Sequence, residues 1–130
     1  MKYDTQIIVN AIQAAFVAAE QVGNENLDDS QGECNFDSAY IKVPGMRNTQ
    51  RLEILAAIPH EDNTRGIELL RKGLSTCSMK SIQFRVVYGV QAIVIEYSWG
   101  QGSLRKRMAR AAEHSLESSG LSVGYEHVVD

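Results

Sequence analysis

Between Ile7 and Val22 the apolar positions recur at helical spacing, with Ile8, Ile12, Ala15, Phe16 and Ala19 among them. Gln6, Asn10, Gln13 and Glu20 form a narrow polar stripe in which Val17 is the one apolar member. That period predicts a helix, capped at its start by Asp4 or Thr5 and ended by Gly23. Its apolar surface is too wide to face water, so most of it is expected to be covered. Residues 24–32 read as an acidic loop rich in turn formers. Short strands are expected at 34–36 and 39–43, before a Pro44-Gly45 turn.

Leu52, Ile54, Ala56 and Ile58 alternate with Leu55 and Ala57. The alternation predicts a strand over 52–58 that is apolar on both faces, hence an inner strand of a sheet. After Pro59, residues 60–63 supply caps for a second helix with Ile67, Leu70 and Leu74 inward, opened by acids and closed by Arg71 and Lys72 in keeping with the helix dipole. Two strands follow at 81–88 and 90–99, hinged at Gly89. In the first, Ile82, Phe84 and Val86 alternate with Gln83 and Arg85; in the second, residues 92–95 are continuously apolar. Ser103 is placed to cap a third helix with Leu104, Met108, Ala111, Ala112 and Leu116 inward, ending near Gly120. A last strand is expected over 121–129, Val123 and Tyr125 opposed to Gly124 and Glu126.

These elements describe one α+β domain over residues 1–130. An N-terminal helix and one or two short strands precede a βαββαβ unit, the split βαβ or ferredoxin-like arrangement, with an antiparallel sheet and helices on one face. In that order the strands at 52–58 and 90–99 lie inside the sheet, in agreement with their two apolar faces. Helices two and three would cover one sheet face, and the N-terminal helix or a second subunit the other. The element order is similar to that of secretion-chaperone-like dimers, an analogy of fold that carries little functional weight.

Composition narrows the classes. A chain of 130 residues with 44% apolar and 22% charged positions buries a core without staples and is not a disordered or low-complexity protein. Two cysteines, Cys34 and Cys77, form no CxxC and no disulfide framework, and are expected to stay thiols in a reducing compartment. No window approaches the roughly 18 apolar residues a bilayer crossing needs. The N-terminal apolar run is interrupted by Asn10 and Gln13 and preceded by one base, which argues against a secretory leader. The expectation is a soluble, cytoplasmic protein with no membrane partner.

The net charge of −3 conceals two opposed clusters. Residues 20–37 hold six acids and no base, and Glu25, Asp28, Asp29, Glu33 and Asp37 form a candidate acidic interface. Residues 105–110 hold four bases and no acid. They follow a glycine-rich turn, so Gly100, Gly102, Ser103, Arg105, Lys106, Arg107 and Arg110 form a candidate anion site. Cations in a first helical turn oppose the dipole, and a phosphate on the free amides would relieve that opposition. The turn matches neither GxGxxG nor GxxxxGKS, so its specificity is weak. The competing reading is that these bases contact the acidic loop or another copy of the chain. Nucleic acid is a less favoured partner, given a pI near 5.6 and no aromatic set beyond Tyr97 and Trp99 on one strand.

Signals for chemistry are weaker. His60-Glu61-Asp62 reads first as a helix start, and Cys34 as a packing residue unless a histidine lies beside it. His114 and His127 show no zinc-ligand spacing, and no serine, histidine and aspartate set stands out, so no metal, cofactor or catalytic group is assigned. The leading expectation is a non-catalytic protein-binding or adaptor module, chaperone-like, working through a protein interface that includes self-association as a homodimer. The alternative is a regulator that binds a phosphate- or nucleotide-type anion at the Gly100 to Arg107 turn.

Overall fold

The computed structural model describes residues 2–26, 37–58, 76–77, 82–95 and 102–128. Helix α1 spans Thr5–Glu25 and begins as the pattern predicts: Asp4 is extended and its carboxylate accepts the Ile7 N–H at 3.1 Å. Gly23 does not end it. The helix continues two residues further, and Asn26 caps it by donating its backbone N–H to the Gly23 carbonyl and its side-chain amide to the Val22 carbonyl. Gly23 is instead part of the buried stripe with Ile8, Val9, Ala11, Ile12, Ala15 and Ala19. Cover is less complete than the apolar count implied, since Val17 is 64% exposed and Ile7 half exposed.

The further elements are β1 (Ser38–Lys42), α2 (Asn48–Ala57), β2 (Thr76–Cys77), β3 (Ile82–Val87), β4 (Val90–Ile95), α3 (Gly102–Ser118) and β5 (Val123–Glu126). One sheet runs in the order β2-β3-β4-β1-β5 with every neighbouring pair antiparallel. The class is α+β. The segment 52–58, expected as an inner strand, is helical. Ile54, Leu55 and Ile58 are its buried positions, one stripe at helical spacing, while Ala56 and Ala57 face out. A short apolar run satisfies both periods, and leucine with alanine favours the helix. The inner place in the sheet belongs to β1, between β4 and β5. The strand expected at 34–36 and the helix expected after residue 60 lie outside the described residues.

The cover of the sheet also differs from expectation. Helix α1 packs along α3, and both share one core with the inner-face residues Ala39, Ile41, Val43, Ile82, Phe84, Ile93 and Ile95. The N-terminal helix therefore lies on the same face as α3. On the opposite face Tyr40, Val87, Ala92 and Val94 form a second, smaller cluster. Across it run Arg85 of β3 and Glu126 of β5, joined by two hydrogen bonds, Nη1 to Oε2 at 3.1 Å and Nη2 to Oε1, while Arg85 Nε donates to Gln83 at 2.8 Å. The register sets this pair diagonally over the rung that holds Val94 and Tyr40. Tyr40 in turn lays its ring where a Cβ on Gly124 would stand, which is why that β5 position is a glycine. Among the described residues, no helix is long and apolar enough to cross a membrane.

Candidate functional site

Of the bases at the start of α3, Arg105 is turned inward, whereas Lys106, Arg107 and Arg110 are exposed. Arg105 is 4% exposed; its Nε donates to the Asp37 carbonyl at 2.9 Å, and an Nη reaches the Ser38 hydroxyl at 3.5 Å. Arg107 donates to the Asn26 side-chain oxygen at 2.7 Å, tying α3 to the end of α1. Arg110 bonds Glu113 at 2.8 Å and stacks over the Tyr125 ring, 3.5 Å from its centroid. Bonding to Glu113 is the largest influence on Arg110 and raises its pKa. Ser103 and Lys106 are exposed, and Gly102 opens the helix; Gly100 lies outside the described residues. Arg105 is thus an internal anchor for the start of β1 rather than an open anion ligand.

Asp37 corrects the acidic-interface expectation in the same way. It is fully buried, and its carboxylate accepts the Tyr125 hydroxyl at 2.5 Å, the Val128 N–H at 3.0 Å and His127 Nδ1 at 2.7 Å. Burial pushes the carboxyl upward, but the bonds from Tyr125, His127 and Val128 and the charge of His127 outweigh it, so its pKa is lowered. Tyr125 moves the other way, raised first by burial and then by the bond to Asp37. Glu25 is exposed at the end of α1; Asp28, Asp29 and Glu33 lie outside the described residues. The last acid of a sequence cluster is therefore a junction post between β1 and β5. Nothing in its spacing marked it, although Tyr125 and His127 at spacing two are a one-sided strand pattern waiting for a polar partner.

Two surface features remain. The first is a groove of about 310 Å³ lined by Lys2, Tyr3, Gly45, Met46, Arg47 and Gln50. Its walls are held by Tyr3, which donates to the Pro44 carbonyl, and by Gln50, which donates to the Tyr3 carbonyl at 2.6 Å. The second is the tip of the β3–β4 hairpin. Val87 pairs with Val90, so the loop is only Tyr88 and Gly89, with φ of +47° and +78°. Positive φ at both central positions is the type I′ requirement, normally met by Asn-Gly or Gly-Gly. A tyrosine there is a backbone outlier of the kind that clusters at functional sites. Tyr88 is 71% exposed and Val86, two residues before it, 61%. Gly89 marked the turn in the sequence; the signal overlooked was the bulky residue in front of it.

His60, Cys34, Tyr97 and Trp99 lie outside the described residues. His114 is exposed on α3, and among the described residues no group of three histidine, cysteine or acidic side chains is placed to hold a metal. Comparison with protein-family models, curated proteins and solved structures finds no match for this chain.

Proposed function

We propose that the protein is a non-catalytic protein-binding module whose partner docks on the tip of the β3–β4 hairpin. One observation carries the reading: Tyr88, a large aromatic, is held out to solvent at φ +47° where asparagine or glycine would sit without strain. Tyrosine is a favoured anchor of protein interfaces, because it offers large contact area at small entropic loss. Val86, two residues before it, is exposed as well. The burial of Arg105 against the Asp37 carbonyl, and the side-chain bonds that the exposed Arg107 and Arg110 make to Asn26 and Glu113, support this reading over an anion site at the start of α3.

Installing a photo-crosslinking phenylalanine analogue at Tyr88, with the same analogue at the exposed Glu20 of α1 as control, tests the proposal in the producing cell. A discrete heteromeric adduct from the first position, lost on adding Val86→Ser, is the expected result. Identical adduct patterns from both positions sink it. A rise in Tm with inorganic phosphate that Lys106→Ala abolishes would favour the anion reading instead.

A further inference from the structure

The outer edge of the sheet at β5 belongs to a different strand from the hairpin tip. Its direction is set by the ladder to β1: Lys42 donates its N–H to the Ser122 carbonyl at 2.8 Å, and Tyr40 opposes Gly124. In an antiparallel pair such residues alternate, so Ser122, Gly124 and Glu126 turn their backbone groups toward β1, and Val123 and Tyr125 turn theirs away. Among the described residues no strand lies beyond β5. An open edge of this kind is a template for one more strand.

Charge on α3 indicates which strand fits. Helix α3 packs on both β1 and β5, and Arg110 stacks on Tyr125, so the helical stripe containing Arg110 overhangs the open edge. Stepping three or four residues along that stripe gives Lys106, Arg110, Glu113 and Glu117. Two bases are followed by two acids, and the reversal falls beside Tyr125, where Glu113 holds Arg110. A stripe of this order is complementary to itself when two helices run antiparallel: Lys106 meets Glu117 and Arg110 meets Glu113 about a two-fold axis.

We infer that a second copy of this chain binds here, β5 against β5, to give an isologous dimer with one continuous ten-stranded sheet. The outward groups of Val123 pair with those of Tyr125 in the other copy, which places the axis at Gly124. No side chain of Gly124 stands in the way of that close approach. With α3 resting over β1 and β5 and strands spaced at about 4.8 Å, the two α3 axes come roughly 10 Å apart, close enough for their long charged side chains to meet. The acidic and basic halves reject a parallel arrangement, so the same charges set orientation as well as partner.

Sedimentation velocity of the full chain over a micromolar concentration series reads the outcome. The expected species has twice the 14.4 kDa chain mass. Val123→Pro removes an outward N–H without touching the β1 ladder and should leave a folded monomer by circular dichroism. Lys106→Glu and Glu117→Lys should each weaken the dimer by about tenfold, and mixing the two single variants should restore it, because each then supplies the charge the other lacks. If Val123→Pro does not fold, the charge-exchange experiment alone decides. A wild-type chain that stays at 14.4 kDa throughout overturns the inference, as does a dimer indifferent to both charge reversals. Tyr88→Asn leaves this dimer unchanged, so its failure and that of the hairpin proposal are read separately.

Discussion

The junction around Asp37 and the tip at Tyr88 invert the usual rule in opposite directions. At the junction a carboxylate is wholly buried, whereas at the tip a tyrosine and a valine stand in water. Burial at Asp37 is tolerable because three donors converge on it, two from side chains and one from the backbone at Val128. Nothing comparable compensates the tip. Its backbone sits in the left-handed region, and its largest side chain gains little contact. A polar group bound on every side is a device for stability and register. An apolar group bound on none, in a conformation that its residue type disfavours, is a departure from local consistency of the sort expected where function is located.

Asp37→Ala is the largest perturbation this contrast predicts. It leaves the Tyr125 hydroxyl and the Val128 N–H without their acceptor in a place water reaches poorly, and costs about 3 kcal/mol. For a domain of this size Tm should fall by about 10 °C, measured by calorimetry. An unchanged melt would erase the distinction between junction and surface.

The same site gives the stability curve its acid limb. The folded-state pKa of Asp37 lies below its ordinary value of 3.8. Its contribution is therefore full above that value and is lost as pH falls through the folded-state value. Tyr125, raised from 10.0 chiefly by burial, contributes with the opposite sign: present below the ordinary phenol value, lost as pH rises past it. Asp37→Asn should flatten the loss below pH 3.8, and Tyr125→Phe the loss above pH 10. Equal pH dependence in wild type and both variants would remove the junction from the account.

Arg105→Met ranks next. It deletes the bond to the Asp37 carbonyl while filling much of the same space, and should destabilise by about 2 kcal/mol. Lys106→Met, one residue on and exposed, should leave Tm where it is when the melt is run at a concentration at which the chain is monomeric. If the two variants melt together, Arg105 is a surface base and the anion reading of the turn regains its main ligand.

How far the chain could be read in advance follows the same division. Helix α1, the β3–β4 hairpin and the inward stripe of α3 were legible because each carries a period sustained over many residues, with a cap or glycine at its boundary. Residues 52–58 were misread because Leu52, Ile54, Leu55 and Ile58 satisfy a two-sided strand and a helical stripe alike, and only tertiary packing separates them. The inner role of β1 was hidden for the complementary reason: Ser38 and Lys42 make a five-residue strand look peripheral. For the site, charge counting misjudged accessibility at Arg105 and Asp37, which are buried, while Glu25, Lys106, Arg107 and Arg110 are exposed. Arg105 and Asp37 stand far apart in sequence, and only the fold shows that one side chain binds the other's backbone.

The smallest effect is the most discriminating. Tyr88→Asn keeps the two-residue loop and supplies a residue at ease with φ near +47°. Relief of left-handed strain should raise stability by about 1 kcal/mol. That corresponds to a Tm higher by about 4 °C, resolved by a thermal melt of the two proteins side by side. Removing the aromatic anchor should at the same time abolish association through the tip, scored by protection of the hairpin amides from exchange when the crosslinked partner is added. The two readouts move in opposite directions, which no purely structural role for Tyr88 produces. A residue kept for packing would lose stability on truncation and leave binding alone. A lower Tm with partner protection intact would therefore return the tip to ordinary architecture, and with it the contrast between the two ends of the sheet.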